Sequence, residues 1–402
     1  MLLEQKQPQI KLEDNKTLNW LILILVGVSC VVSDWMISLF TVSDFIFGII
    51  FLLIVILSKI RLEKKDIIRL ISLESFVFLI NIINLLLNDS FSLKVFTYNF
   101  IKFSFYCIVS LYLYKFFSEK ILLKEQLIVL NVISVITIII GVYITVIIMN
   151  DIKLPYNFFW TLTRSDRSSY TLRGTTYLIR TRSIFAEPAH FGYFLNMVLG
   201  LNFFSICKKN ISKYFNLILI IGIILTFSYA SIAVALVLML LKIALSFRNL
   251  KNEIFNKKMG LLLLIVMLVL LIFKDFIYVG IVQRTIEILN GSDNSSINRL
   301  ISSWEYVNLD WILLGNGLGH TPPIQNIYAY ILSDLGLISF LLYIFFTFKI
   351  LTINFGIGIT LLVLNFQKGG YLTPLFYLLI LFIVLYSKKK NLNHSLERKI
   401  MK

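Results

Sequence analysis

The stretch RTRSIFAEPAHFG, residues 180–192, sets two guanidinium groups, a carboxylate and an imidazole in front of a long apolar run. A carboxylate or an imidazole can take the proton of an attacking hydroxyl. Arginine's planar fork matches phosphate oxygens. The pattern suits chemistry on a phosphorylated substrate at the mouth of an apolar helix, with Arg180 and Arg182 as binding groups. Pro188 fits the first helical position, where its missing N–H costs nothing. Glu187 then stands at the helix start with His190 three residues on, a spacing at which helical side chains meet. The same residues also fit a plainer role, an acid favoured by the helix dipole and a histidine bonded to it.

A second group follows in NRLISSWEYVNLDWILLGNGLGH, residues 298–320. Arg299, Trp304 and Glu305 read as an amphipathic helix along a membrane surface. LLGNGLGH has no Walker lysine and reads as a turn, not a nucleotide loop. His320 is either a base or a hydrogen-bonding group at the interface. In QNIYAYILSDLGLIS, residues 325–339, Asn326, Asp334 and Gly336 enter an apolar run. An ionisable residue there marks a functional site or a polar helix contact. HExxH, paired CxxC and three-histidine patterns are missing from the sequence, so no metal site is expected. Cys30, Cys107 and Cys207 have no paired spacing and read as packing residues.

These groups need helices to hold them. The chain has 402 residues, 58% of them hydrophobic and only 15% charged, with a mean hydropathy of +0.85. A soluble domain carries about a quarter charged residues. The expectation is an all-α polytopic membrane protein, one integral domain over residues 1–402. A helix crosses a bilayer core in roughly 20 apolar residues. Runs at 18–40, 42–58, 67–87, 93–117, 127–149, 184–206, 214–228, 230–247, 259–279, 326–348, 351–366 and 372–387 give about twelve transmembrane helices on that measure.

The net charge of +16 is not a nucleic-acid footprint, because the cations lie in short links between apolar runs. Lysines mark the leader, residues 1–17, every even-numbered link, and the basic tail, residues 388–402. Short odd-numbered links hold few, such as Lys94 and Lys368. By the positive-inside rule both termini are cytoplasmic. Two long loops, 150–183 and 280–325, then face outside. The first carries Arg164, Arg167, Arg173, Arg180 and Arg182, an arginine-rich exception to a lysine-based pattern.

An arginine followed by SIFAEPAHFG at the mouth of a mid-chain span resembles the Wzy-type O-antigen and polysaccharide polymerases. So does the later outer loop with NRL, a tryptophan and LLGNGLGH. QNIYAYILSDLGLIS is similar to a segment these polymerases share with O-antigen ligases. Gln325 stands where the ligases have histidine, and Asn326, Gly336 and Ser339 match. The resemblance covers about residues 150–345. It implies a GT-C-like fold in the bacterial cytoplasmic membrane and glycosyl transfer without metal or cofactor. Donor and acceptor would be undecaprenyl-pyrophosphate-linked oligosaccharides, joined at the outer face into O-antigen, capsule or exopolysaccharide. Glu187, His190 or His320 would be the base. Arg180, Arg182, Arg299, Gln325 and Asn326 would bind substrate. A repeat-unit flippase and a chain-length regulator would be partners, and nucleic acid would not. Two other readings stay open: a ligase that moves finished glycan, and a transporter of lipid-linked oligosaccharide or polysaccharide. A transporter would place more charge deep in its spans.

Overall fold

The computed structural model describes residues 16–58, 60–120, 122–163, 170–171, 178–206, 213–250, 283–293 and 297–387. The expected span at 259–279, the leader up to residue 15, the tail, and Arg164, Arg167 and Arg173 lie outside them. The described chain is mostly helical: α1 Lys16–Val31, α2 Val42–Leu52, α3 Lys64–Leu87, α4 Leu93–Lys120, α5 Leu123–Met149, α6 Pro188–Phe204, α7 Lys213–Leu225, α8 Tyr229–Leu250, α9 Arg284–Leu289, α10 Ile327–Ile353, α11 Phe355–Gln367 and α12 Pro374–Ser387. Among the described residues, strand is confined to two antiparallel pairs, Met36–Ile37 with Phe40–Thr41 and Tyr170–Thr171 with Ile179–Arg180, and a single bridge between Trp35 and Thr163.

Among the described residues, five helical stretches are long and apolar enough to cross a membrane: Lys16–Asp34, Lys64–Leu87, Leu93–Lys120, Leu123–Met149 and Ile327–Ile353. Five shorter apolar ones stand beside them: Val42–Leu57, Lys213–Leu225, Tyr229–Leu245, Phe355–Gln367 and Pro374–Ser387. The protein is thus an all-α membrane-type bundle. Local chemistry sets the ends. Thr41 and Asp44 form a reciprocal capping box that starts α2. Asn326 caps α10 and Asn354 caps α11, each accepting backbone N–H bonds at the helix start. Gly336 interrupts α10 with φ 74° and ψ −177°, a backbone only glycine adopts without strain.

Helix α6 is the axis of the bundle. Every residue from Phe191 to Phe204 is buried, as expected of a helix apolar on all sides. Small residues let neighbours close on it: Gly192 meets Ser231 of α8 and Gly200 meets Thr360 of α11. Asn202 exchanges hydrogen bonds with Asn131 of α5 at 2.7 and 2.9 Å and donates to Asn216 of α7 at 2.9 Å. In an apolar surround such amide pairs tie helices together.

The links gather at two ends. At one, Trp35 Nε1 donates to the Ile184 carbonyl at 2.8 Å and Thr181 N to Leu225 O at 3.0 Å. There too, Ser92 N donates to His320 Nε2 at 2.8 Å and Gln367 Nε2 to Ser231 Oγ at 2.9 Å. At the other, Lys115 bridges Glu63 and Asp66, each at 2.7 Å. Tyr386 reaches Leu123 O there at 2.7 Å, and Asn354 reaches Phe204 O at 2.9 Å. Among the described residues, the links after α1, α3, α5, α7 and α11 thus meet at the first end, and those after α2, α4 and α10 at the second.

Candidate functional site

The polar centre of the first end is a buried carboxylate. Asp34 closes the turn after α1 and is 2% exposed. Its Oδ2 faces His190 Nδ1 at 2.8 Å and accepts the Ala186 N–H at 3.3 Å. Its Oδ1 accepts from Lys368 Nζ at 3.0 Å. A carboxylate out of water needs such partners to stay charged. The α1 end, the mouth of α6 and the α11–α12 link therefore meet on one side chain.

His190 sits in the first turn of α6 and is half-buried. In the tautomer that donates Nδ1–H to the Asp34 carboxylate, the ring lone pair is on Nε2. One nitrogen is fixed by a carboxylate and the other has no protein partner among the described residues, a geometry that can orient a base.

Among the described residues the expected side-chain bond between Glu187 and His190 does not form; the His190 N–H donates to the Glu187 carbonyl at 3.1 Å. Glu187 is the residue before the helix, with extended backbone at φ −139° and ψ 154° and no side-chain cap bond. The three-residue spacing brings side chains together only when both residues are helical. His190 turns to Asp34 instead.

Arg182 is 2% exposed. Its guanidinium lies 3.6 Å from the centre of the Trp160 ring and 5.5 Å from that of Tyr170, and Nη1 donates to Ala186 O at 2.8 Å. Burial lowers its pKa to about 10, against the fields of Tyr170 and Glu187. Arg182 thus fastens the SIFAEP turn to the preceding loop by cation–π stacking. Ser183, at φ 53°, takes the bend of that turn. Its Oγ donates to Thr137 O at 2.6 Å, and its carbonyl accepts from Trp160 Nε1 at 2.7 Å. Arg180 is half-exposed, with Nε donating to Thr226 O at 3.4 Å.

The later residues form a separate unit. Asp334 is 0% exposed. It accepts Gly319 N at 2.9 Å, Thr321 N at 2.8 Å and the Tyr371 hydroxyl at 2.7 Å. It binds LLGNGLGH as a turn, with Gly315, Gly317 and Gly319 all at positive φ. His320 belongs to this turn. Its Nε2 accepts Ser92 N–H, and the ring stacks on Phe91 with centroids 4.5 Å apart. Burial holds its pKa below the usual histidine value. Its acceptor nitrogen is therefore already used. The 298–305 stretch is a π-helical turn and one α turn, shorter than an amphipathic helix, with Trp304 against Phe340. Asn326 donates to the Arg299 carbonyl at 3.3 Å, Arg299 is half-buried and Gln325 is exposed.

One short link joins the two units. Gln367 donates to Ser231 and, at 3.4 Å, to Ala189 O. Lys368 holds Asp34, and Gly369 lies so close to the Ile324 carbonyl that a Cβ would collide with it. Tyr371 holds Asp334. The sequence marked Lys368 only as a cation in a short odd-numbered link, and it did not single out Asp34. Their separation in the chain hid the pairing. A carboxylate near the end of an apolar run and a lysine in a link expected on the same side were the available signal.

Comparison of the chain with protein-family models, with curated proteins and with solved structures finds no match.

Proposed function

We propose that this protein is a membrane glycosyltransferase of the Wzy type, GT-C-like with about twelve spans. It polymerises undecaprenyl-pyrophosphate-linked repeat units into a surface polysaccharide at the outer face of the bacterial cytoplasmic membrane. The observation that carries the reading is His190 with Nδ1 on buried Asp34 and no protein partner for Nε2 among the described residues, in the helix that follows the Arg180–Arg182 turn at one end of an apolar bundle. The lysine placement in the sequence supports a site on the outer side. In the proposed reaction the acceptor sugar hydroxyl loses its proton to His190 Nε2. Its oxygen attacks the anomeric carbon of the donor, and the bond from that carbon to pyrophosphate breaks. The departing lipid pyrophosphate keeps the bonding electrons, and Arg180 stabilises its charge. Arg182 sets the turn that carries the site, and Lys368 keeps Asp34 ionised. Arg299, Gln325 and Asn326 border the site through Gly369.

The test is reconstitution in liposomes with an undecaprenyl-pyrophosphate-linked repeat unit as the only substrate. A ladder of products longer by whole units is expected, with loss of the ladder in His190→Gln. Transfer of finished glycan to a lipid acceptor with no ladder would make the protein a ligase. Movement of the lipid across the membrane without bond formation would make it a transporter.

A further inference from the structure

Beside the site, on the side of the bundle formed by α2 and α4, lies a trough that the bundle leaves open. It has a volume of about 460 Å³ and is walled by Phe45, Ile49 and Leu52 from α2 and by Ile101 and Phe105 from α4, with Phe40 at its upper edge. Phe45, Ile49, Leu52 and Ile101 are all exposed, so the trough opens sideways. In a membrane-spanning bundle that direction is hydrocarbon. Gly48 forms part of the floor, and a Cβ placed there meets nothing within 4 Å. The space therefore depends on a missing side chain.

The trough offers no net charge. Lys102 lies in it with its ammonium 4.0 Å from Asp44, and 5.6 and 5.8 Å from the ring centres of Tyr98 and Tyr106. Asp44 also accepts the Tyr106 hydroxyl and the Thr41 N–H. A balanced pair against aromatic faces suits hydrocarbon and gives a phosphate no advantage. The size falls in the range of small-molecule sites, roughly 300–1,000 Å³. A transmembrane helix is about 10 Å across with its side chains and would lie over such a trough, not in it.

The upper end of the trough leads to the site. Phe40 belongs to the 36–41 hairpin, whose Leu39 carbonyl accepts the Tyr98 hydroxyl at 2.9 Å. Trp35, which precedes the hairpin, accepts Val42 N–H at 2.9 Å on its carbonyl and bonds Ile184 through its indole. Asp34 is its neighbour. A chain lying in the trough would bring its head out at this hairpin, on the side where Trp35 and Asp34 meet the mouth of α6.

We infer that the α2–α4 trough is the seat of the isoprenoid chain of the lipid-linked substrate, with its pyrophosphate held outside the trough at the arginine-bearing mouth of α6. The inference rests on the reading of the protein as an enzyme of polyprenyl-linked sugars. Its direct test does not need catalysis. A polyprenyl pyrophosphate with a photoreactive diazirine in its chain is irradiated with the purified full-length protein, and labelled peptides are mapped. Labelling is expected on α2 and α4, competed by unlabelled polyprenyl pyrophosphate and not by an equal excess of phosphatidylglycerol. Gly48→Trp fills the trough and should cut labelling at least tenfold, while Gly48→Ala, which fits, should not. Ile101→Trp narrows the trough from an exposed position and gives a second variant should Gly48→Trp fail to fold. In the polymerisation assay Gly48→Trp should raise KM for a long-chain donor about tenfold and leave KM for a short-chain analogue unchanged. Equal competition by phosphatidylglycerol, labelling elsewhere in the bundle, or undiminished labelling in both tryptophan variants would overturn the inference. A wild-type protein that labels in the trough yet makes no ladder would sink the polymerase reading and leave the isoprenoid seat standing.

Discussion

Asp34 and Asp334 are both buried carboxylates at the same end of the bundle, and they are served by opposite kinds of partner. Asp334 accepts two backbone N–H groups and a tyrosine hydroxyl. Its bonds hold a glycine turn against α10 and leave no group turned outward. Asp34 accepts one backbone N–H, a lysine and a histidine. The histidine has a second nitrogen with no protein partner among the described residues. A carboxylate surrounded by fixed donors builds structure. One that orients a titratable ring builds a site. Burial alone does not separate the two roles, because both residues are all but sealed from solvent.

The largest expected effect is on turnover. His190→Gln keeps a hydrogen bond to Asp34 but supplies no base. Turnover in the reconstituted assay should fall by roughly a hundredfold to ten-thousandfold, the usual worth of a general base. Asp34→Asn should fall by a similar factor, because it no longer fixes the Nδ1–H tautomer. Glu187→Gln should stay within a few-fold of wild type. Wild-type turnover in His190→Gln with loss in Glu187→Gln would reverse the assignment of the base. By contrast, Asp334→Ala should act on folding. It leaves two buried N–H groups and a hydroxyl unanswered, each worth about 1–3 kcal/mol. Thermal unfolding should show a large drop in midpoint, while the specific activity of the folded fraction survives.

A smaller effect sharpens the Asp34 side. Removing one member of a buried ion pair costs about 3–5 kcal/mol, whereas replacing the whole pair by apolar groups is often neutral. Lys368→Met alone should therefore destabilise the protein, and so should Asp34→Asn alone. Lys368→Met with Asp34→Leu should recover most of the midpoint and none of the turnover. A double variant as unstable as the sum of the two singles would show that Lys368 and Asp34 do not act as a pair.

Arg182 comes next. Arg182→Lys keeps the charge and loses the planar stack on Trp160. Loss of a desolvated cation–π contact costs about 2 kcal/mol. The midpoint should drop accordingly, and Trp160→Leu should give a similar loss. If the two act through one contact, the double variant should be little worse than either single change. Full additivity would separate them.

The positions of most described helices were legible in the sequence, because apolar length records them directly. Pro188 marked the α6 start correctly, since its ring suits the first helical position. The glycine turn at 313–320 was legible for a related reason: three of its glycines occupy positive φ. Val42–Leu57 falls where the apolar run 42–58 put it, whereas Phe355–Gln367 starts four residues after the expected 351, at a cap on Asn354 that the hydropathy does not show. The site was half legible. Arg182 and His190 were marked by type and position, but the role of Arg182 depended on Trp160, which carries no sequence signal. The Asp34–His190 pair joins the turn after α1 to the first turn of α6, and only tertiary packing brings them together. The local rule favoured Glu187 because it counts residues along a helix that Glu187 has not yet entered.

The smallest effect tests the Asp334 side through His320. Its Nε2 accepts Ser92 N–H, so the folded protein requires the neutral ring there. Burial moves its pKa below the usual value, and an exposed histidine titrates near 6.5. As pH falls below about 6.5, the unfolded chain takes up a proton before the folded protein does, and stability declines by linkage. Above that range both states hold the neutral ring and the contribution is flat. His320→Gln offers an amide oxygen to the same N–H and cannot titrate. The variant should match wild type at pH 8 to within about 1 kcal/mol, the net worth of one hydrogen bond, and lose less stability than wild type between pH 7 and pH 5. Carboxylates elsewhere titrate alike in both proteins, so the difference between the two unfolding curves isolates His320. Turnover at pH 8 should be unchanged, which places His320 with the structural carboxylate and not with the site. A loss of turnover a hundredfold or more at unchanged stability would move it to the other side of the comparison and return it to the search for the base.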